Sequence, residues 1–124
     1  MSKILEKYGY KVKSTDLIDR GYGKGGVDFL RSRYRTANIV TNPPFALANK
    51  FIHHALTHAS NKVALLLRLN MLESKTRKKF YTNFPFARLY IFGERVPFSS
   101  NNAIAFGWFV WDWSHVGKPI IEWL

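Results

Sequence analysis

The sequence predicts an α/β domain with a mostly parallel sheet and an antiparallel C-terminal strand. Three stretches carry that expectation. Residues 38–41 read as a strand, 46–60 as an amphipathic helix and 62–69 as a second strand, and strand, helix and strand together make a crossover unit. The second strand contains Val63-Ala64-Leu65-Leu66-Leu67, an unbroken apolar run suited to burial on both faces of a parallel sheet. Residues 103–113 alternate Ala103, Ala105 and Gly107 with the bulkier Ile104, Phe106 and Trp108 before closing on Phe109 to Trp113, which reads as a further strand.

Composition narrows the class. The 124 residues, 47% hydrophobic and 16% aromatic, suffice for the core of one small domain spanning the whole chain, 1–124. With no cysteine, a disulfide framework and a thiolate zinc site are excluded. Lys or Arg interrupts the longer apolar runs, and residues 103–113 are too short to span a bilayer. The expectation is therefore a soluble, cytoplasmic protein without a membrane partner. A formal charge of +11 favours a polyanion, and nucleic acid is the expected partner.

Taken in order, residues 2–8 place Ile4, Leu5 and Tyr8 at helical spacing behind a candidate Ser2 cap. Residues 10–15 alternate Tyr10, Val12 and Ser14 with Lys11, Lys13 and Thr15, the pattern of a strand ending at Asp16. An acid at a strand's carboxyl end is placed to accept hydrogen bonds from a ribose diol; a solvated turn acid is the plainer alternative. Gly21, Gly23 and Gly26 satisfy G-x-G-x-x-G, but they do not stand between a strand and an opening helix, so residues 17–26 read as a loop. Val27-Asp28-Phe29-Leu30 makes a short apolar turn with one carboxylate, and Arg31, Arg33 and Arg35 follow with Tyr34 as a basic patch.

The helix over 46–60 shows Leu47, Phe51, Ala55 and Ala59 every fourth residue, predicting one buried stripe. His54 and His58 lie one turn apart, but no carboxylate flanks them and they read as solvent-facing, so no metal is expected. Residues 73–83 predict a helix carrying Lys75, Arg77, Lys78 and Lys79, on its plainest reading a wet face. Residues 87–92 predict a strand, a polar loop with Pro97 and residues 99–102 follows, and residues 119–124 add a short edge.

The chemistry concentrates at Ile39-Val40-Thr41-Asn42-Pro43-Pro44-Phe45. Two consecutive prolines cannot donate to a ladder, so the strand stops and the chain turns into extended geometry. Such a corner leaves the carbonyls of Asn42 and Pro43 as acceptors beside the Asn42 amide and the flat face of Phe45, a pocket for a planar group carrying an NH2. This stretch resembles the Asn/Asp-Pro-Pro-Phe/Tyr motif of the S-adenosylmethionine-dependent amino-methyltransferases, above all the adenine-modifying enzymes of phages and prophages. Leu67-Arg68-Leu69-Asn70 at the end of the next strand adds to the likeness, which runs from Asp16 to Asp112.

The resemblance implies a partial Rossmann-like sheet and methyl transfer to an exocyclic amine, adenine in DNA foremost. It implies catalytic roles for Asn42, Pro43, Pro44 and Phe45, and contacts with S-adenosylmethionine from Asp16, Asp28 and Phe29. Arg68, Lys75, Arg77, Lys78 and Lys79 are the candidates for phosphate contacts. It also implies a glycine-rich cofactor loop and a first strand, lying mid-sheet, ahead of Ser2, where this sequence has only Met1. Three routes then stay open: the flanking strands close up, a second chain supplies the strand, or the reading frame continues upstream. RNA and protein glutamine are alternative substrates within the family. A basic, non-catalytic nucleic-acid-binding remnant is the alternative outside catalysis.

Overall fold

The computed structural model describes residues 1–94 and 104–124, which form two compact units, Met1–Arg33 and Tyr34–Leu124. The predicted loop at Pro97 and residues 99–102, and the predicted strand start at Ala103, lie outside the described residues.

The first unit holds one helix, α1 (Ser2–Lys7), preceded by Met1 and without a side-chain cap, so the predicted Ser2 cap is not formed. Residues 10–15 do not form the predicted strand. Only one parallel bridge joins Thr15 to Lys24, held by Asp16 N–H donating to the Lys24 carbonyl (3.0 Å) and Lys24 N–H donating to that of Ser14 (2.9 Å). Tyr10 stays exposed and Val12 is half-buried, so the alternation has no apolar face to bury and little to gain from a ladder. The glycines act as a loop, as expected. At Gly23, with φ of +72°, an added Cβ would stand 2.6 Å from the Ser14 carbonyl oxygen, so only glycine fits there. The predicted turn at Val27 to Leu30 is a 3-10 turn, Phe29–Arg31, capped by Asp28, whose Oδ1 accepts from Leu30 N–H at 3.0 Å.

The second unit is built on a five-stranded mixed sheet. Its elements are β1 (Thr36–Thr41), α2 (Ala48–His58), β2 (Ala59–Arg68), α3 (Lys78–Thr82), β3 (Phe86–Ile91), β4 (Phe106–Asp112) and β5 (Ile120–Trp123). The strand order is β1-β2-β4-β3-β5. β1 pairs in parallel with β2, and β3 with β5, while β4 runs antiparallel to both of its neighbours. Four strands therefore share one direction. The odd one is β4, the penultimate strand of the chain, whereas the terminal β5 forms a parallel edge. Among the described residues, all five strands of the sheet come from residues 36–124.

β2 buries Val63, Leu65, Leu66 and Leu67, that is, both of its faces, as its apolar run foretold. α2 passes into β2 without a loop and buries Ala48, Ile52, Ala55 and Leu56. The predicted stripe holds at Ala55 and Ala59, both buried, but is one residue out of step before them: Leu47 is exposed and Phe51 half-buried, while Ala48 and Ile52 are buried. A strict four-residue repeat drifts around a helix of 3.6 residues per turn, whereas the observed spacing alternates four and three. His54 and His58 are half-buried rather than solvent-facing, and their rings stack 3.9 Å apart. The predicted helix over 73–83 shrinks to α3 because Ser74 has a φ of +107°, which a right-handed helix cannot accommodate. Among the described residues, no helix is long and apolar enough to cross a membrane.

An aromatic cluster fixes β4 to α3. Trp111 is wholly buried and donates its indole N–H to the Phe80 carbonyl at 2.8 Å, with Phe86 and Tyr81 packed 5.1 and 5.9 Å from its ring. Gly107 is buried in β4 with no room for a side chain. A Cβ there would meet the Tyr90 carbonyl oxygen at 2.8 Å and Leu69 Cδ2 at 3.0 Å. Gly107→Ala is expected to lower stability by about 1–3 kcal/mol through this overpacking, seen as a lower denaturant midpoint with an unchanged slope.

Candidate functional site

β1 and β2 run side by side and end at the same edge of the sheet. There Pro43, lacking an N–H, ends the β1 ladder, and a 3-10 turn, Phe45–Leu47, leads into α2. The corner is split by burial: Pro43 is buried, while Asn42 and Pro44 are exposed. The Pro44 carbonyl accepts from Leu47 N–H at 3.0 Å. Among the described residues, no hydrogen bond reaches the Asn42 side chain or the carbonyls of Asn42 and Pro43. Three acceptors thus remain at the strand end.

Phe45 is 47% exposed. One face of its ring carries the Arg68 guanidinium, whose Cζ lies 3.9 Å from the ring centroid, and the Phe106 ring lies 5.6 Å away at a tilt of 40°. Beside them opens a cleft of about 140 Å³, walled by Phe45, Arg68, Asn70 and Arg77 over Ala48, Leu67 and Met71. Asn42 is not part of its lining. The cleft is small against the ~300–1,000 Å³ of ordinary ligand pockets.

Of the predicted phosphate contacts, Arg68 and Arg77 meet in this cleft. Arg77 is tied into the fold: Nε donates to Asn49 Oδ1 (3.2 Å), and Nη1 donates to the carbonyls of Asn70 (3.1 Å) and Glu73 (3.2 Å). It therefore clasps the start of α2 to the 3-10 turn after β2, Leu69–Leu72. Lys75, Lys78 and Lys79 are exposed, with Lys79 Nζ 5.6 Å over the Phe80 ring. Below the cleft, Tyr81 donates its hydroxyl to the Met71 carbonyl at 2.7 Å, and burial pushes its phenol well above the usual tyrosine range. Sequence reasoning missed the contributions of Asn49, Met71 and Tyr81, since nothing in local spacing links positions 49, 71 and 81.

The predicted cofactor contacts lie in the first unit. Asp16 Oδ1 accepts from Ile18 N–H at 3.2 Å and its Oδ2 pairs with Arg20 Nε at 3.0 Å. Its carbonyl accepts from Val27 N–H at 2.9 Å, which brings Asp16 beside the turn that holds Asp28 and the half-buried Phe29. Asp28 spends Oδ1 on its cap and keeps Oδ2 without a partner among the described residues. No protein-family model matches the chain, and no curated protein matches it by sequence.

Proposed function

We propose that the chain is an S-adenosylmethionine-dependent amino-methyltransferase whose substrate is the exocyclic amine of adenine in DNA. The observation that carries this reading is the set of unpartnered acceptors at Asn42 and Pro43 beside the half-exposed ring of Phe45, at the carboxyl end of a parallel strand. Ligands of open α/β sheets gather at such ends. The crossover from β1 through α2 to β2, with β4 alone against four parallel strands, supports a partial Rossmann-like arrangement. The outer edge of β1 is then the place for the first strand that the resemblance implies.

An aromatic amine is a poor nucleophile because its lone pair is drawn into the ring. Hydrogen bonds from the NH2 to the Asn42 side-chain oxygen and the Pro43 carbonyl favour a pyramidal nitrogen with its lone pair free, and fixed positioning supplies much of the remaining gain. Phe45 stacks on a base turned out of the duplex. Net charge of +11 favours nucleic acid over protein glutamine as the source of the amine.

The first unit fits the cofactor in part. Asp28 has one carboxylate oxygen for the adenine amine of S-adenosylmethionine, and Phe29 stands beside it to pack on that ring. Asp16 can serve the ribose diol only by giving up an exposed ion pair, a small cost. When bound, the cofactor supplies the methyl group. A second reading, nucleic-acid binding without chemistry, is favoured by the engagement of both Asp16 oxygens and by the small cleft.

Calorimetry separates the two. Titration with S-adenosylmethionine is expected to give measurable heat that Asp28→Ala abolishes, and silence at millimolar cofactor supports the non-catalytic reading instead. Labelled-methyl transfer to unmethylated DNA, RNA and a glutamine-bearing protein then identifies the substrate, with label in DNA adenine as the expected result.

A further inference from the structure

Arg68 is anomalous among the basic residues of the sheet unit. Its Nε is fully buried without a hydrogen-bond partner. Among the described residues, the ion pairs join Arg20 to Asp16, Lys62 to Asp112 and Arg88 to Glu122, and none involves Arg68. The cleft beside it contains a second guanidinium, that of Arg77, and no carboxylate among its lining residues. A partly buried cation with unmet donors in an acid-free cleft is a costly arrangement unless an anion arrives from outside. Yet the guanidinium rests on the ring face of Phe45, where a planar substrate would stack.

We propose that Arg68 is a displaceable occupant of the base site: it covers Phe45 when the cleft is empty and exchanges that ring for the phosphate of the incoming nucleotide. The inference rests on reading the Asn42–Phe45 corner as an adenine site. Three features drive the exchange in one direction. A guanidinium over a half-exposed phenyl ring is a weak contact, worth about two- to fivefold in an equilibrium. A guanidinium–phosphate pair is charge-assisted, can be bidentate and gives Nε the acceptor it lacks. Finally, the cleft of about 140 Å³ is too small for a nucleotide while the guanidinium walls it, and departure of Arg68 widens it beside the ring. Base stacking and phosphate capture are thereby coupled. A bare nucleoside must displace Arg68 without giving it a new partner, whereas a nucleotide repays the displacement.

The test compares adenosine, purine riboside and adenosine 5′-monophosphate, titrated by NMR against the full chain and its Arg68→Ala and Arg68→Lys variants. In Arg68→Ala, adenosine is expected to bind about two- to fivefold tighter, because the ring is already bare. The same variant is expected to bind the monophosphate about tenfold more weakly, having lost its anion partner. Arg68→Lys keeps the charge without the planar fork and should retain the preference for the monophosphate. Arg68→Met keeps the stem and carries the same expectation as Arg68→Ala should the alanine variant fail to fold. Unchanged or weaker adenosine binding in the neutral variant overturns the exchange, as does a retained preference for the monophosphate or a parent protein that binds neither ligand. Equal affinity for adenosine and purine riboside, which lacks the amine, would instead sink the amine reading of Asn42 and leave the exchange at Arg68 standing.

Discussion

Asn42→Ala is expected to reduce methyl transfer by about 10²- to 10³-fold, the usual effect of deleting one preorganised hydrogen-bonding group at a reacting centre. The side chain is exposed and has no partner among the described residues, so its loss leaves stability within about 0.5 kcal/mol of the parent. The drop should fall on kcat more than on KM, because the bond to the amine matters most when the nitrogen becomes pyramidal. Steady-state rates on unmethylated DNA, set beside melting curves of both proteins, check the expectation. A variant as fast as the parent would remove Asn42 from the chemistry.

Trp111→Ala carries the largest structural effect. The side chain is fully buried against Phe86 and Tyr81, and truncating it costs about 3–5 kcal/mol in packing. The Phe80 carbonyl also loses its indole donor, and an orphaned buried acceptor costs a further ~1–3 kcal/mol. Set against the ~5–15 kcal/mol that holds a domain folded, this removes a large share of the stability of the sheet unit. Trp111→Phe keeps much of the packing and isolates the hydrogen bond. Urea titration should place its midpoint between those of the parent and the alanine variant, and an alanine variant as stable as the parent would refute the role given to the cluster.

What could be read from the sequence follows from how local each signal is. The run Val63 to Leu67 declares a strand by itself, because burial on both faces leaves no other use for so many apolar side chains, and in β4 buried Phe109 and Trp111 alternate with half-buried Trp108 and Val110 as a strand with one deeply covered face requires. The double proline likewise marks its own corner. Residues 10–15 misled because alternation is only half of a strand, and no apolar face was there to be buried. The helix over 73–83 was overdrawn because the backbone reversal at Ser74 has no signature in a serine. At the site, the resemblance pointed to the corner and to Arg68, but charge alone suggested a phosphate contact. That Arg68 lies on Phe45, and that Arg77 is consumed by Asn49 and two carbonyls, depends on how the ends of β1 and β2 meet in space.

The grip on a flat amine can be observed directly with an oligonucleotide carrying ¹⁵N at the adenine amine. On saturation with the parent protein, the two amine protons should move downfield and become distinct, and with Asn42→Ala the proton facing that side chain should return toward its free position. Amine signals unmoved by the parent, or shifted identically by the variant, would contradict the account.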